Sequence, residues 1–144
     1  MSRYRIQRID LNDEAILEQV ENIHGGMFEE DVGVPYDDMF WGAYDIESGL
    51  MIGYCSMKIE RRRKQVKLTS CAIKEKHRGQ GLQSRMIKRR IQEAKALGIY
   101  KVVTHTVCNP PSENNLIRCG FRLFRPRIEW AGEYANYWIK ILVA

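Results

Sequence analysis

"KEKHRGQGLQSRMIKRR", residues 74–90, decides how the rest of the chain is read. It follows "VKLTSCAI", an apolar run with the composition of a strand, and opens a strongly basic helical pattern. Gly79 and Gly81 stand one residue apart, flanked by Arg78 and Gln80. A glycine-rich turn that feeds a helix presents unpaired backbone N–H groups at the positive end of the helix dipole. Glycine also lets an anion's oxygen come close where a Cβ would block it. The pattern therefore predicts an anion site suited to phosphate. The P-loop pattern GxxxxGK[ST] is absent. Gly79-Gln-Gly81-Leu-Gln-Ser84 imitates the dinucleotide fingerprint, but Ile99–Val103 offers no acid for the ribose about 20 residues on.

Working outward, "RYRIQRI" alternates, with Tyr4, Ile6 and Arg8 on one face of a first strand. Ile16, Val20 and Ile23 follow at helical spacing, with Asn12 or Asp10 as N-cap and Gly25 and Gly26 as the stop. "MFWGAYDI" and "GLMIGYCSMKI" read as a hairpin about Glu47–Ser48–Gly49, and "RRRKQ" turns the chain into the next strand. Leu82, Met86, Ile87, Ile91 and Ala94 make the apolar stripe of a helix over Leu82–Leu97, which Gly98 ends. "YKVVTHTV" is a strand, "NPPSENNLIRCG" a short helix entered through two prolines, and "FRLFR" and "YANYWIKILV" the last strands. The order β-α-(α)-β-β-β-α-β-α-β-β predicts an α/β (α+β) fold, one mixed sheet flanked by helices.

The 144 residues suit a single domain over 1–144, and the net charge of +5 favours an anionic partner. Four cysteines show neither a CxxC pair nor zinc-ligand spacing, so no metal is expected and a reduced, cytoplasmic setting is. No secretory signal opens the chain and no apolar run is long enough for a bilayer, so no membrane partner is expected. Nucleic acid is disfavoured, because no aromatic residues interleave with Arg61–Lys64. A homodimer is compatible with this composition.

"IKEKHRGQGLQSRMI" resembles the acetyl-CoA-binding motif of the GCN5-related N-acetyltransferases (GNAT), roughly (Q/R)xxGx(G/A) after a hydrophobic strand. Arg78, Gly81 and Gln83 occupy the diagnostic slots, and "CNPPSENNLIRCGF" is similar to the family's next segment, with Asn109, Gly120 and Phe121 in place. The resemblance implies a mostly antiparallel sheet whose middle strands splay, with acetyl-CoA as acetyl donor. It implies that the Ile73 backbone holds the pantetheine arm. Amides of Arg78, Gly79, Gln80, Gly81, Leu82, Gln83 and Ser84 would cradle the pyrophosphate, with Asn109 also on the cofactor. Gln83 departs from the family's Gly or Ala and is expected either to fold away or to touch the cofactor. Arg85, Lys88, Arg89, Arg90 and Lys95 form a basic helix face that reads as solvated for the most part, with the ribose 3′-phosphate as its alternative ligand.

The chemistry implied is transfer of acetyl to a primary amine, of a small molecule or peptide, by direct attack on the thioester. Many members carry a base six residues before the Ile73 slot and an acidic tyrosine four before the Gly-Phe glycine; here those slots are Lys67 and Leu116. His105 is then the candidate base and Ser112 the candidate acid. Tyr134 and Tyr137 are expected on opposite faces of the last strand. Glu129, Trp130 and Glu133 are candidates for the amine substrate, and with Glu29, Glu30, Asp31, Asp37 and Asp38 suggest a cationic one. The alternative is a non-catalytic acyl-CoA-binding module of the same fold.

Overall fold

Alternation in "YRIQRI" buries Tyr4, Ile6 and Ile9 and makes β1 (Tyr4–Ile9), while Arg8 is exposed with its guanidinium over the Trp41 ring. The computed structural model describes residues 2–27 and 39–143. Its other strands are β2 (Met39–Asp45), β3 (Met51–Glu60), β4 (Gln65–Ile73), β5 (Lys101–Thr106), β6 (Arg122–Leu123) and β7 (Asn136–Ile141). Its helices are α1 (Glu14–Met27), α2 (Leu82–Ala96) and α3 (Pro110–Arg118). The seven strands lie in the order β1-β2-β3-β4-β5-β7-β6. The β1–β2, β2–β3, β5–β7 and β7–β6 pairs are antiparallel, and β4–β5 is parallel. The mixed, mostly antiparallel sheet with helices is thus the fold. The β4–β5 register, Val66↔Val102 and Lys67↔Val103, falls at the start of both strands. Among the described residues no helix is long and apolar enough to cross a membrane.

Contacts divide the chain into two compact units. The first comprises Met1–Lys58 and Thr69–Leu82. Its core gathers Ile9, Val20, Ile23, Phe40, Met51, Tyr54 and Ala72. Helix α1 is capped by Asp13, whose Oδ1 accepts from the amides of Ala15 and Ile16; Asp10 instead turns back to the Asn12 amide. The helix runs through Gly25 and Gly26 to Met27, beyond the expected stop. Glycine costs a helix about 1 kcal/mol, and tertiary burial of Val20, Ile23 and His24 outweighs it. His24 hydrogen-bonds the Tyr54 hydroxyl, and burial pushes that phenol up to about 12. The hairpin turn is held by Asp45, which accepts from Arg3 through both oxygens (3.1 and 3.0 Å), from the Glu47 amide and from the Ser48 hydroxyl. A second helix and the acids Glu29, Glu30, Asp31, Asp37 and Asp38, read from the sequence, lie outside the described residues.

The second unit comprises Ile59–Leu68 and Gln83–Ala144. Residues Arg61–Arg63 form a 3-10 turn closed by Lys64 in the left-handed region (φ 51°). The α2 stripe is buried as its spacing predicts, and so is Arg90, whose Nε donates to the Met86 carbonyl at 3.2 Å. Arg90 therefore leaves the basic face that the sequence suggested, whereas Lys88, Arg89 and Lys95 stay exposed. Helix α3 ends at the expected Gly-Phe: the Phe121 amide donates to the Leu116 carbonyl at 3.0 Å, and both side chains are buried. Tyr134 falls outside β7 and is exposed, while Tyr137 is buried within it, so the two do not alternate on one strand.

Candidate active site

Strand β4 ends at Ile73, and the turn that follows is tied down at several points. The Lys74 amide donates to the Ile52 carbonyl at 2.8 Å, and His77 Nδ1 hydrogen-bonds the Tyr4 hydroxyl at 2.8 Å. Arg78 Nε donates to the Ile73 carbonyl at 3.0 Å, the backbone oxygen expected to face pantetheine. Gly79 (φ 75°) and Gly81 (φ 76°) both sit in the left-handed region, and a Cβ on either would project into open space. Two such glycines on either side of Gln80 turn successive amides outward, the arrangement that suits a diphosphate. Helix α2 begins at once with Leu82, and its first turn holds no acid. The donor set and the open space fit coenzyme A.

Gln83 folds away rather than outward. Its amide nitrogen donates to Ser112 Oγ at 2.9 Å, and its oxygen accepts from Asn115 Nδ2 at 2.6 Å. Ser84 Oγ adds a bond to Asn115 Oδ1 at 3.3 Å. Four predicted residues, Gln83, Ser84, Asn109 and Ser112, are thus brought together where α2 and α3 begin. Asn109 is the N-cap of α3, its Oδ1 accepting from the Ser112 amide at 3.2 Å. Glu113, one residue on, accepts from Thr106 Oγ1 (2.9 Å) and Asn136 Nδ2 (2.6 Å), which fixes the helix start to the ends of β5 and β7. Leu116, in the usual acid's slot, is buried and has no proton to give.

His105 belongs to a second constellation. Its Nδ1 accepts from the Trp130 indole at 3.0 Å. Indole nitrogen only donates, so Nδ1 carries no proton and the neutral ring holds its proton on Nε2. Burial, and then the charge of Lys67, push the His105 pKa below the ordinary histidine range. Lys67 Nζ lies 4.3 Å from the centroid of the Trp130 ring and 3.7 Å from Glu60 Oε2. Glu60 also accepts from Gln65 Nε2 at 2.7 Å. The Tyr137 ring meets Trp130 edge-on at 4.6 Å, and its hydroxyl donates to the Gly132 carbonyl while accepting from the Ala131 amide. His105 pairs across the sheet with Tyr137. Sequence reasoning missed Glu60 and Gln65; nothing local marks them, because their partners come from the fold.

The three substrate candidates separate. Glu129 and Glu133 line a hollow of about 650 Å³ with Arg125, Asn136 and Tyr137. Trp130 lines another of about 430 Å³, which shares Phe124 and Pro126 with the first. Glu129 and Glu133 are exposed and Trp130 half-buried.

The sequence profile described as the Acetyltransferase (GNAT) family matches residues 7–121. A search of curated protein sequences found no match. Among solved structures the chain is similar to the NatC complex bound to Gag peptide and CoA, at 15% identity over 99% of this chain and 100% of that one, with a TM-score of 0.81. It is similar to the ribosomal-protein-S18-alanine N-acetyltransferase from Escherichia coli, at 14% identity over 98% and 96%, with a TM-score of 0.77. A Salmonella typhimurium protein solved with its cofactor acetyl-CoA aligns at 20% identity over 99% and 95%, with a TM-score of 0.71. At such identities these likenesses speak for the fold. With the family profile matched over most of its length, the chain belongs to the GNAT acetyltransferase family.

Proposed function

We propose that the protein is a cytoplasmic acetyl-CoA-dependent N-acetyltransferase acting on a primary amine of a small molecule or peptide, with residues 1–144 as one acetyltransferase domain. The observation that carries this reading is the pair Gly79 and Gly81 at positive φ, feeding a helix whose first turn holds no acid. In this reading amides from Arg78 through Ser84 bind the diphosphate, the Ile73 backbone lines the pantetheine arm, and Asn109 shapes the neighbouring helix start. When bound, acetyl-CoA supplies the acetyl group as a thioester; the transfer forms a C–N bond and breaks the C–S bond.

The attacking amine must be neutral, and deprotonating an aliphatic amine of pKa about 10.4 at pH 7 costs about 4–5 kcal/mol. The sequence suggested His105 as the base. Its basic nitrogen, Nδ1, is occupied by the Trp130 N–H, so His105 acts here as a hydrogen-bond donor through Nε2–H. The amine's proton then leaves to solvent, with positioning supplying the acceleration. Ser112 Oγ accepts from Gln83, which leaves its own O–H for the departing thiolate.

Lys67 and buried Leu116 in the usual slots favour a second reading, an acyl-CoA-binding module without turnover. Calorimetry with acetyl-CoA, followed by free-thiol release over an amine panel, separates the two. The transferase binds and releases thiol with at least one amine; the module binds and releases none. Absence of uptake at millimolar coenzyme A sinks both.

A further inference from the structure

The hollow of about 430 Å³ beside Trp130 carries three cations, Arg63, Lys101 and Arg127, on aromatic walls from Phe124 and Trp130. They arrive from three places: the 3-10 turn after β3, the first residue of β5, and the segment between β6 and β7. Among the described residues no carboxylate lines it. The nearest acid, Glu60, is already engaged by Gln65 and Lys67. The volume suits a small ligand. Guanidinium and ammonium groups converging without a counter-charge select an anion, and arginine matches carboxylate and phosphate oxygens in pairs. Trp130 is the link to the chemistry, since its ring walls the hollow while its N–H holds His105. The adjoining hollow, with Glu129 and Glu133, has the opposite sense.

We propose that the hollow formed by Arg63, Lys101 and Arg127 against Trp130 binds an anionic group, carboxylate or phosphoryl, of the acceptor, so that the favoured substrate is an amine that carries its own negative charge. This rests on the transferase reading and narrows it. It also revises the expectation of a purely cationic substrate, which took the acids of residues 129 and 133 as the decisive charges.

The test compares matched amines in a thiol-release assay: O-phosphoethanolamine against ethanolamine, and β-alanine against β-alaninamide. The expected result is a kcat/KM at least tenfold higher for the anionic member of one pair; which pair responds tells phosphoryl from carboxylate. The preference should fall to within about threefold in Arg127→Ala, an exposed position, and in Lys101→Ala. Equal or better use of the neutral members overturns the proposal, as does a preference that both variants retain. Should no amine react, calorimetry on CoA-loaded protein decides: uptake of O-phosphoethanolamine or β-alanine that Arg127→Ala abolishes supports the site, and no uptake of either overturns it. Coenzyme A binding, measured separately, reports on the transferase reading alone, so the two failures are distinguishable.

Discussion

Trp130 touches three groups that matter to one another. It gives its N–H to His105, its ring face to Lys67 and its edge contact to Tyr137. Trp130→Phe keeps the ring and removes the proton donor. In ¹⁵N NMR the wild-type His105 should appear as the Nε2–H form, and the variant as a mixture of both neutral forms. Lys67→Met should raise the His105 pKa only part of the way to its ordinary value, because burial is the larger cause and remains. The sign for stability follows. A folded pKa below the unfolded value of about 6.5 means that the unfolded chain takes up the proton first. The neutral ring therefore favours folding fully above pH 6.5, and this contribution is lost as pH falls toward the lowered folded value. Urea titrations at pH 7.5 and 5.5 should show a smaller acid loss in Lys67→Met than in wild type. Sequence alone picked out His105 by residue type, but Nδ1's partner lies 25 residues away on another segment, beyond any local pattern.

The turn between β2 and β3 and the start of α2 show how an element is fixed by one side chain. Asp45 collects Arg3, a backbone amide and a hydroxyl, and the Arg3 guanidinium, the first cause, holds its carboxyl at about 2. Its stabilising effect is present above the ordinary carboxylate pKa of about 3.9 and is lost as pH falls toward 2. Melting temperatures of wild type and Asp45→Asn should differ clearly at pH 7 and converge by pH 2. Gln83→Ala removes two hydrogen bonds to α3 and keeps the backbone amide. Urea denaturation should show a loss of about 1–2 kcal/mol, while the Kd for coenzyme A changes by less than about threefold. Elements with a clean period were legible: the α2 stripe is buried at every predicted position. The start of α1 was harder, because Asp10, Asn12 and Asp13 are all able to cap and only the folded backbone selects Asp13. The destination of Gln83 was not legible, since Ser112 and Asn115 lie 29 and 32 residues on.

Across the whole molecule, the +5 charge makes anion binding a long-range as well as a local matter. Coenzyme A affinity should weaken several-fold between 50 and 500 mM NaCl, as the screening length shrinks to below about 10 Å; a flat response in salt-dependent calorimetry contradicts this. The fold and the phosphate turn could be read from the chain because both are written in contiguous residues. The acceptor side could not, because Arg63, Lys101 and Arg127 meet only once the sheet has formed. The segment between β6 and β7 has a further property. The Phe124 amide donates to the Tyr137 carbonyl, the Tyr137 hydroxyl grips Ala131 and Gly132, and Trp130 is bonded to His105. Those anchors leave Arg125, Arg127, Ile128 and Glu129 exposed between them. Such a span is an interchangeable cassette: new preferences for the incoming molecule can be grafted by rewriting those few letters, with the clasps on either end left untouched.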